Sequence, residues 1–283
     1  MKSFLNFLVN IIIFSLISAG SFLIAWRFIQ EDVILYITQV PIESAEFERN
    51  FLETEDTAEF DWDTVGQLDA TYWLNYIDIP EDDVHPIGEL LIPSIEARLP
   101  IFHGVGEPNI TIGAGTMKPE FVMGEGNITL ASHWDPNPGV RFGGLHLVGD
   151  GDLLILRDST YLYIYETIIF DRVINRYQSY IADYVEGKIY LTLFTCTPDG
   201  SQRLMVRGEF VEQVSIEDLA AAAEAEDVIE DLGRLDVEVI TEVVYTLEEA
   251  EIPFPLLEVS LAVGGSLLLG ILVVRLSNRG SRN

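Results

Sequence analysis

Two long apolar stretches near the ends of this chain fix what its middle can be. No residue between Lys2 and Arg27 is charged, and Phe4 to Trp26 exceeds the roughly 20 apolar residues needed to cross a bilayer. A second stretch, Ile252 to Val274, is interrupted by Glu258 and followed by Arg275, Arg279 and Arg282. Basic residues are retained on the cytoplasmic side, so the arginines at one end and Lys2 at the other set both termini inside. The reading is an N-terminal transmembrane anchor over residues 1–27 and a C-terminal transmembrane helix over 252–275 with a basic cytoplasmic tail at 276–283. Residues 28–250 then lie outside a cell membrane crossed twice, with the lipid bilayer as a partner. A cleaved signal peptide with Ser18-Ala19-Gly20 at its cleavage site is the alternative for the first stretch, but such h-regions run only about 7–15 residues. For the second stretch, the alternative is a helix lying in the interface.

The chain carries 46 acidic against 16 basic Lys and Arg side chains, a net charge of −30. Such a surface repels phosphates and excludes nucleic acid as a partner. No ordered loop of alternating acidic residues suggests a calcium site, and no glycine-rich phosphate loop has the required spacing, so neither metal nor cofactor is expected. Cys196 is the only cysteine. On an exported chain it cannot close an internal disulfide, which leaves a buried apolar filler or a nucleophile.

Residues 28–85 mix many carboxylates with Phe47, Phe51, Phe60, Trp62, Tyr72, Trp73 and Tyr76. Helical pieces packed on a core and an extracellular stalk are both compatible with that texture. From Pro86 the chain turns to short β-rich runs punctuated by Gly and Pro: 88–93, 99–103, 127–133, 152–156, 161–169, 189–196 and 203–210. Several short strands with turn signals between them predict an all-β domain over 86–214, closed or sandwich-like. After it, Ser215 and Asp218 resemble a capping box ahead of the run Leu219 to Glu224, predicting an acidic helical linker over 215–251.

A thiol of ordinary acidity needs a base or a positive neighbour to act as a nucleophile. Of the four histidines, His85, His103, His133 and His146, His133 closes the run Asn127 to Ser132 just as Cys196 closes Ile189 to Thr195. Two strand ends meeting at one rim would bring this pair together. Arg203 opens the following strand through the turn Pro198-Asp199-Gly200, where its guanidinium can donate to a carbonyl oxygen gaining charge. Arg207 competes with it on the same strand face, four residues farther from the turn.

Thr192-Leu193-Phe194-Thr195-Cys196 followed by Arg203 resembles the cysteine motif of sortases, the transpeptidases of Gram-positive cell surfaces. Gly113 to Pro119, Met123 to Asn127 and Leu130-Ala131-Ser132-His133 resemble the stretch before the catalytic histidine of class A members. Gly88 to Pro93 and Leu99 to Gly104 resemble the opening strands. The resemblance covers about residues 86–214 and implies a closed eight-stranded β-barrel with short helices, with no cofactor. It further implies Cys196 as nucleophile, His133 as acid/base and Arg203 as carbonyl partner. The family's chemistry is cleavage of a Leu-Pro-X-Thr-Gly-type sorting signal between Thr and Gly through a thioester, then transfer of the surface protein to an amine of a peptidoglycan precursor.

The second apolar stretch and Cys196-Thr197-Pro198 are closer to class C, which joins pilin subunits through a lysine amine, but residues 28–86 contain no Asp-Pro-aromatic lid triplet. Wall anchoring is therefore favoured over pilin polymerisation. Ile174, Ile181, Ala182 and Val185, in the connection from Phe170 to Lys188, are candidate contacts for the signal's leucine and proline, as are Ala131 and Thr195 beside the catalytic pair. Two other classes are weaker. A non-catalytic surface scaffold leaves His133, Cys196 and Arg203 together unexplained, and a papain-like hydrolase requires its cysteine to begin a helix.

Overall fold

The computed structural model describes residues 5, 6, 9–21, 23, 46–61, 84–175, 178, 183 and 185–219. The chain divides into two compact units, residues 1–36 with 252–283 and residues 37–251. In the first unit residues 9–21 are helical, with Leu16 among the exposed large apolar side chains. Among the described residues no helix is long and apolar enough to cross a membrane. The stretch 252–275, its basic tail and the linker beyond Leu219 lie outside the described residues.

The second unit is built on eight strands: β1 (Gly88–Ile92), β2 (Ala97–Phe102), β3 (Ala114–Thr116), β4 (Asn127–Ala131), β5 (Leu153–Arg157), β6 (Tyr161–Asn175), β7 (Tyr190–Cys196) and β8 (Gln202–Ser215). They close into a barrel in the order β1-β2-β3-β4-β7-β8-β6-β5. Closure joins β1 to β5, the two ends of that order. Two contacts are parallel, β2 with β3 and β4 with β7, and the rest are antiparallel. The expected strands are present, and β3, three residues of Ala-Gly-Thr too short to carry a period-2 pattern, is an addition.

Alternation sorts the strand residues into two faces. Leu90, Ile92, Ile101, Ile128, Leu130, Leu154, Leu156, Tyr165, Leu191, Leu193, Leu204 and Val206 belong to one cluster that fills the barrel. Each such side chain taken fully out of water stabilises the fold by about 1.5–3 kcal/mol before entropy is counted. The outer face is buried in two places. Leu91, Ile155, Leu162, Ile164 and Val214 are covered by Leu219, from the turn of helix after Ser215. The Asp218 amide donates to Ser215 Oγ at 3.3 Å, the cap expected at that position. The other outer cluster lies beneath the candidate site.

Helix α1 (Phe47–Thr54) packs on the barrel. Phe47 and Asn50 are buried, Phe51 joins the main core, and Asn50 Nδ2 donates to the Pro86 carbonyl at 2.8 Å. Farther on, the Val105 amide donates to the Glu59 carbonyl at 2.7 Å. Of the two arrangements open for residues 28–85, residues 46–61 take the packed one.

Candidate active site

The parallel pairing of β4 with β7 brings the histidine and cysteine segments together. Ala131 is the ladder partner of Phe194, and the Ser132 amide donates to the Phe194 carbonyl at 3.2 Å. His133 and Cys196 each lie two residues beyond that pair, on the same side of the sheet. On the other flank of β7, Cys196 is the direct partner of Arg203 on β8, with Phe194 opposite Met205 and Thr195 opposite Leu204. Cys196 and Arg203 are therefore neighbours at one rim, and the chain continues to His133 from the level of Phe194 on the adjacent strand.

The floor beneath them is the remaining outer cluster: Ala131, Phe194 and Met205 from the strands, with Val105, Ile110 and Ile174 around them. It is a dry apolar patch next to a partly exposed thiol. Ala131 and Ile174 belong to this floor, Ala131 as the ladder partner of Phe194 and Ile174 as that of Arg203. Thr195 does not share this face. It pairs with Leu204 of the barrel interior, is fully buried, and its Oγ1 has no hydrogen-bond partner. Val185 is 41% exposed, and Ile181 and Ala182 lie outside the described residues.

His133 is 3% exposed. Its Nε2 lies 3.1 Å from Glu107 Oε1, and the other oxygen of that carboxylate accepts from Thr111 Oγ1. Glu107 sits in the loop between β2 and the short helix α2 (Asn109–Ile112). Ser132 Oγ ties β4 to the end of that helix by donating to the Gly113 carbonyl at 2.6 Å. Behind the histidine, the fully buried Arg141 pairs with Asp135 at 2.5 Å, and the Phe142 amide donates to the His133 carbonyl. Burial pulls the imidazole below its ordinary pKa of 6.5; Glu107 pulls it back up, and Arg141 adds a smaller push down. Burial thus favours the neutral ring, while the neighbouring Glu107 carboxylate favours the charged one.

The other histidines are committed elsewhere. His103 stands between the rings of Phe51 and Phe60, His146 contacts the Gly143 carbonyl, and His85 lies 4.0 Å from Glu53. The two arginines of β8 also separate. Arg207 Nε donates to Thr192 Oγ1 at 2.9 Å and its guanidinium lies 5.0 Å over the Tyr190 ring, two strand steps below the rim. Arg203 lies at the rim, opposite the thiol, with Nη1 donating to the Gln202 carbonyl. The turn between cysteine and arginine is fixed by Asp199, which accepts from both Thr197 Oγ1 and Ser201 Oγ; those hydroxyls hold its carboxyl at about 2.

Glu107 was not visible as a site residue in the sequence, because its link to His133 is a tertiary contact between a loop and a strand end. Phe194 and Met205 read only as strand residues, yet alternation from Cys196 and Arg203 already assigns them to the site's face. Among the described residues no group of His, Cys, Asp and Glu could hold a metal ion.

Residues 90–211 match the sequence model of the Sortase domain. Over 129 residues the chain is 36% identical to Sortase A of Streptococcus agalactiae serotype III, covering 44% of this chain and 52% of that protein. Over 132 residues it is 34% identical to Sortase A of Bacillus anthracis, covering 46% and 62%. The matches therefore span a little over half the length of these relatives. Among solved structures, sortase A of Listeria monocytogenes matches with a TM-score of 0.44 at 28% identity, over 46% of this chain and 90% of that one.

Proposed function

We propose, for a chain that is a member of the sortase family through residues 90–211, that it is a membrane-anchored cysteine transpeptidase with Cys196, His133 and Arg203 as its working residues. The observation that carries this reading is the shared rim: Cys196 opposite Arg203, and His133 at the same level of the parallel neighbour, above an apolar floor. In the first half-reaction His133 takes the proton of the Cys196 thiol, and the resulting thiolate attacks the carbonyl carbon of the threonine in a Leu-Pro-X-Thr-Gly-type signal. Arg203 donates hydrogen bonds to the carbonyl oxygen as it gains charge. The Thr–Gly C–N bond breaks, the departing glycine nitrogen takes a proton from the His133 imidazolium, and a thioester remains on Cys196. An amine of a peptidoglycan precursor then attacks the thioester, passes its extra proton to His133 and expels the thiolate.

The apolar floor suits the leucine and proline of such a signal, with Ala131 and Ile174 as direct contacts and Val185, Ile181 and Ala182 contributing from the β6–β7 connection. The uncharged stretch after Lys2 and the arginines after Val274 support two membrane spans with the barrel outside and both termini in the cytoplasm. A pilin lysine as acceptor is the second reading, favoured by Cys196-Thr197-Pro198 and the second apolar stretch.

The test is the full chain in detergent micelles with a Leu-Pro-X-Thr-Gly peptide and an amine acceptor, followed by mass spectrometry. Cleavage after threonine with the acceptor joined, lost in Cys196→Ala, is the expected result. A chain that is folded yet yields no cysteine-dependent product from sorting-signal peptides with either a glycine-type or a pilin-lysine acceptor would refute the reading.

A further inference from the structure

We propose that Glu107 is a positioning residue for His133, fixing which ring nitrogen handles the proton and supporting the imidazolium through the acyl transfer. The proposal rests on the transpeptidase reading above.

Three observations carry it. Glu107 Oε1 lies 3.1 Å from His133 Nε2, a hydrogen-bond distance between a carboxylate and a ring that is almost wholly out of water. The carboxylate is itself held, since Thr111 Oγ1 donates to Oε2 from the first turn of α2. The loop that carries Glu107 is clamped from its other side by the 46–61 segment. Val105 donates to the Glu59 carbonyl, and Glu59 comes so close to Gly104 that a Cβ there would meet its backbone at 2.7 Å. A carboxylate anchored at one oxygen, on a loop pinned from behind, is suited to steer a ring rather than to follow it.

The chemistry follows from the geometry. A neutral imidazole carries its proton on one nitrogen, and a carboxylate at Nε2 selects the tautomer with Nε2–H, donated to Glu107. The nitrogen left to exchange a proton is Nδ1. As imidazolium the ring carries both protons: Nδ1–H is given to the departing amine nitrogen, the C–N bond breaks, and the ring returns to the neutral tautomer with Nε2–H still on Glu107. No proton passes to the carboxylate. The charged groups acting on the ring are Glu107 from the loop and Arg141 from the segment after β4, while the Cys196 thiol and Arg203 belong to β7 and β8 at the neighbouring rim. Of these, Glu107 is the anion in hydrogen-bond contact with the ring.

The experiment compares the unaltered full chain in detergent with Glu107→Gln and Thr111→Val, each checked for folding by its thermal unfolding midpoint. Two quantities are read: turnover of the sorting-signal peptide across pH, and the titration midpoint of the His133 ring by NMR, assigned with His133→Gln. Glu107→Gln is isosteric and removes only the charge. Its expected result is a fall in kcat of about tenfold or more with KM within about twofold, a lower His133 midpoint, and a pH optimum moved to the acid side. Thr111→Val moves both readouts in the same direction by less. A folded Glu107→Gln protein with an unmoved His133 midpoint, or with kcat within about twofold of the unaltered chain, overturns the proposal. An unaltered chain with no Cys196-dependent turnover instead removes the functional reading, and the proposal falls with it.

Discussion

Arg203 and Arg207 face the same side of β8, and the difference between them is what each touches. A guanidinium stacked over Tyr190 and bonded to Thr192 is a structural group, whereas the buried guanidinium of Arg203 stands opposite the partly exposed thiol, the position the proposed function uses for a carbonyl donor. Arg203→Lys keeps the charge but loses the planar fork, and turnover of the sorting-signal peptide is expected to fall about a hundredfold. Arg207→Gln is expected to cost about 1–2 kcal/mol of unfolding free energy in denaturant melts while turnover per folded molecule holds. His133 makes a prediction of opposite kind. Because burial sets its folded pKa below the ordinary 6.5, the unfolded chain binds the proton first as pH falls. The group's contribution to stability is thus whole above about 6.5 and is lost below it. His133→Gln should flatten the decline in melting midpoint between about pH 7 and 5.5 relative to the unaltered chain. Cys196, His133 and Arg203 could be proposed beforehand because each stands at a strand end within a string that resembles the sortase motifs. Glu107 could not, since nothing in Gly104 to Pro108 marks a loop residue as the neighbour of a histidine on another strand.

Elements were legible to the extent that they repeat a period. β4 and β7 were visible as short β-rich runs to within two residues at their ends, whereas β6 runs on to Asn175, past the expected stop at Ile169, through shifts in its register with β8. The acidic and aromatic residues 46–61 had no clear period; their packing is set by tertiary partners, Pro86, His103 and Val105. That segment depends on a glycine. Gly104 has φ +86° and no room for a Cβ against Glu59, while Gly187, φ +73°, has open space around it. Gly104→Ala is expected to lower stability by about 2–4 kcal/mol, combining left-handed strain with loss of the Glu59 contact. Gly187→Asn is expected to change it by less than about 1 kcal/mol, since asparagine tolerates that backbone. Thermal melts of the two variants side by side check both.

At the scale of the whole chain the dominant number is the net charge of −30. Self-repulsion of that size opposes a compact state and is screened beyond about 10 Å at roughly 0.1 M salt. Raising sodium chloride from about 0.05 M to about 0.5 M should therefore raise the melting midpoint; a midpoint that stays flat or falls would show that local ion pairs outweigh the overall field. The same charge explains why composition excluded nucleic acid yet named no partner, since repulsion is legible in a sequence and a specific fit is not.

The parallel contact between β4 and β7 also bears on when the thiol becomes useful. β5 and β6 lie between these strands in the chain, so His133 and Cys196 meet through a non-local pairing that must wait for the intervening segments to find their places. Until the barrel is complete, Cys196 has neither His133 nor Arg203 beside it. On the proposed reading, reactivity is thus tied to completion of the barrel, and the order of assembly guards against premature acylation.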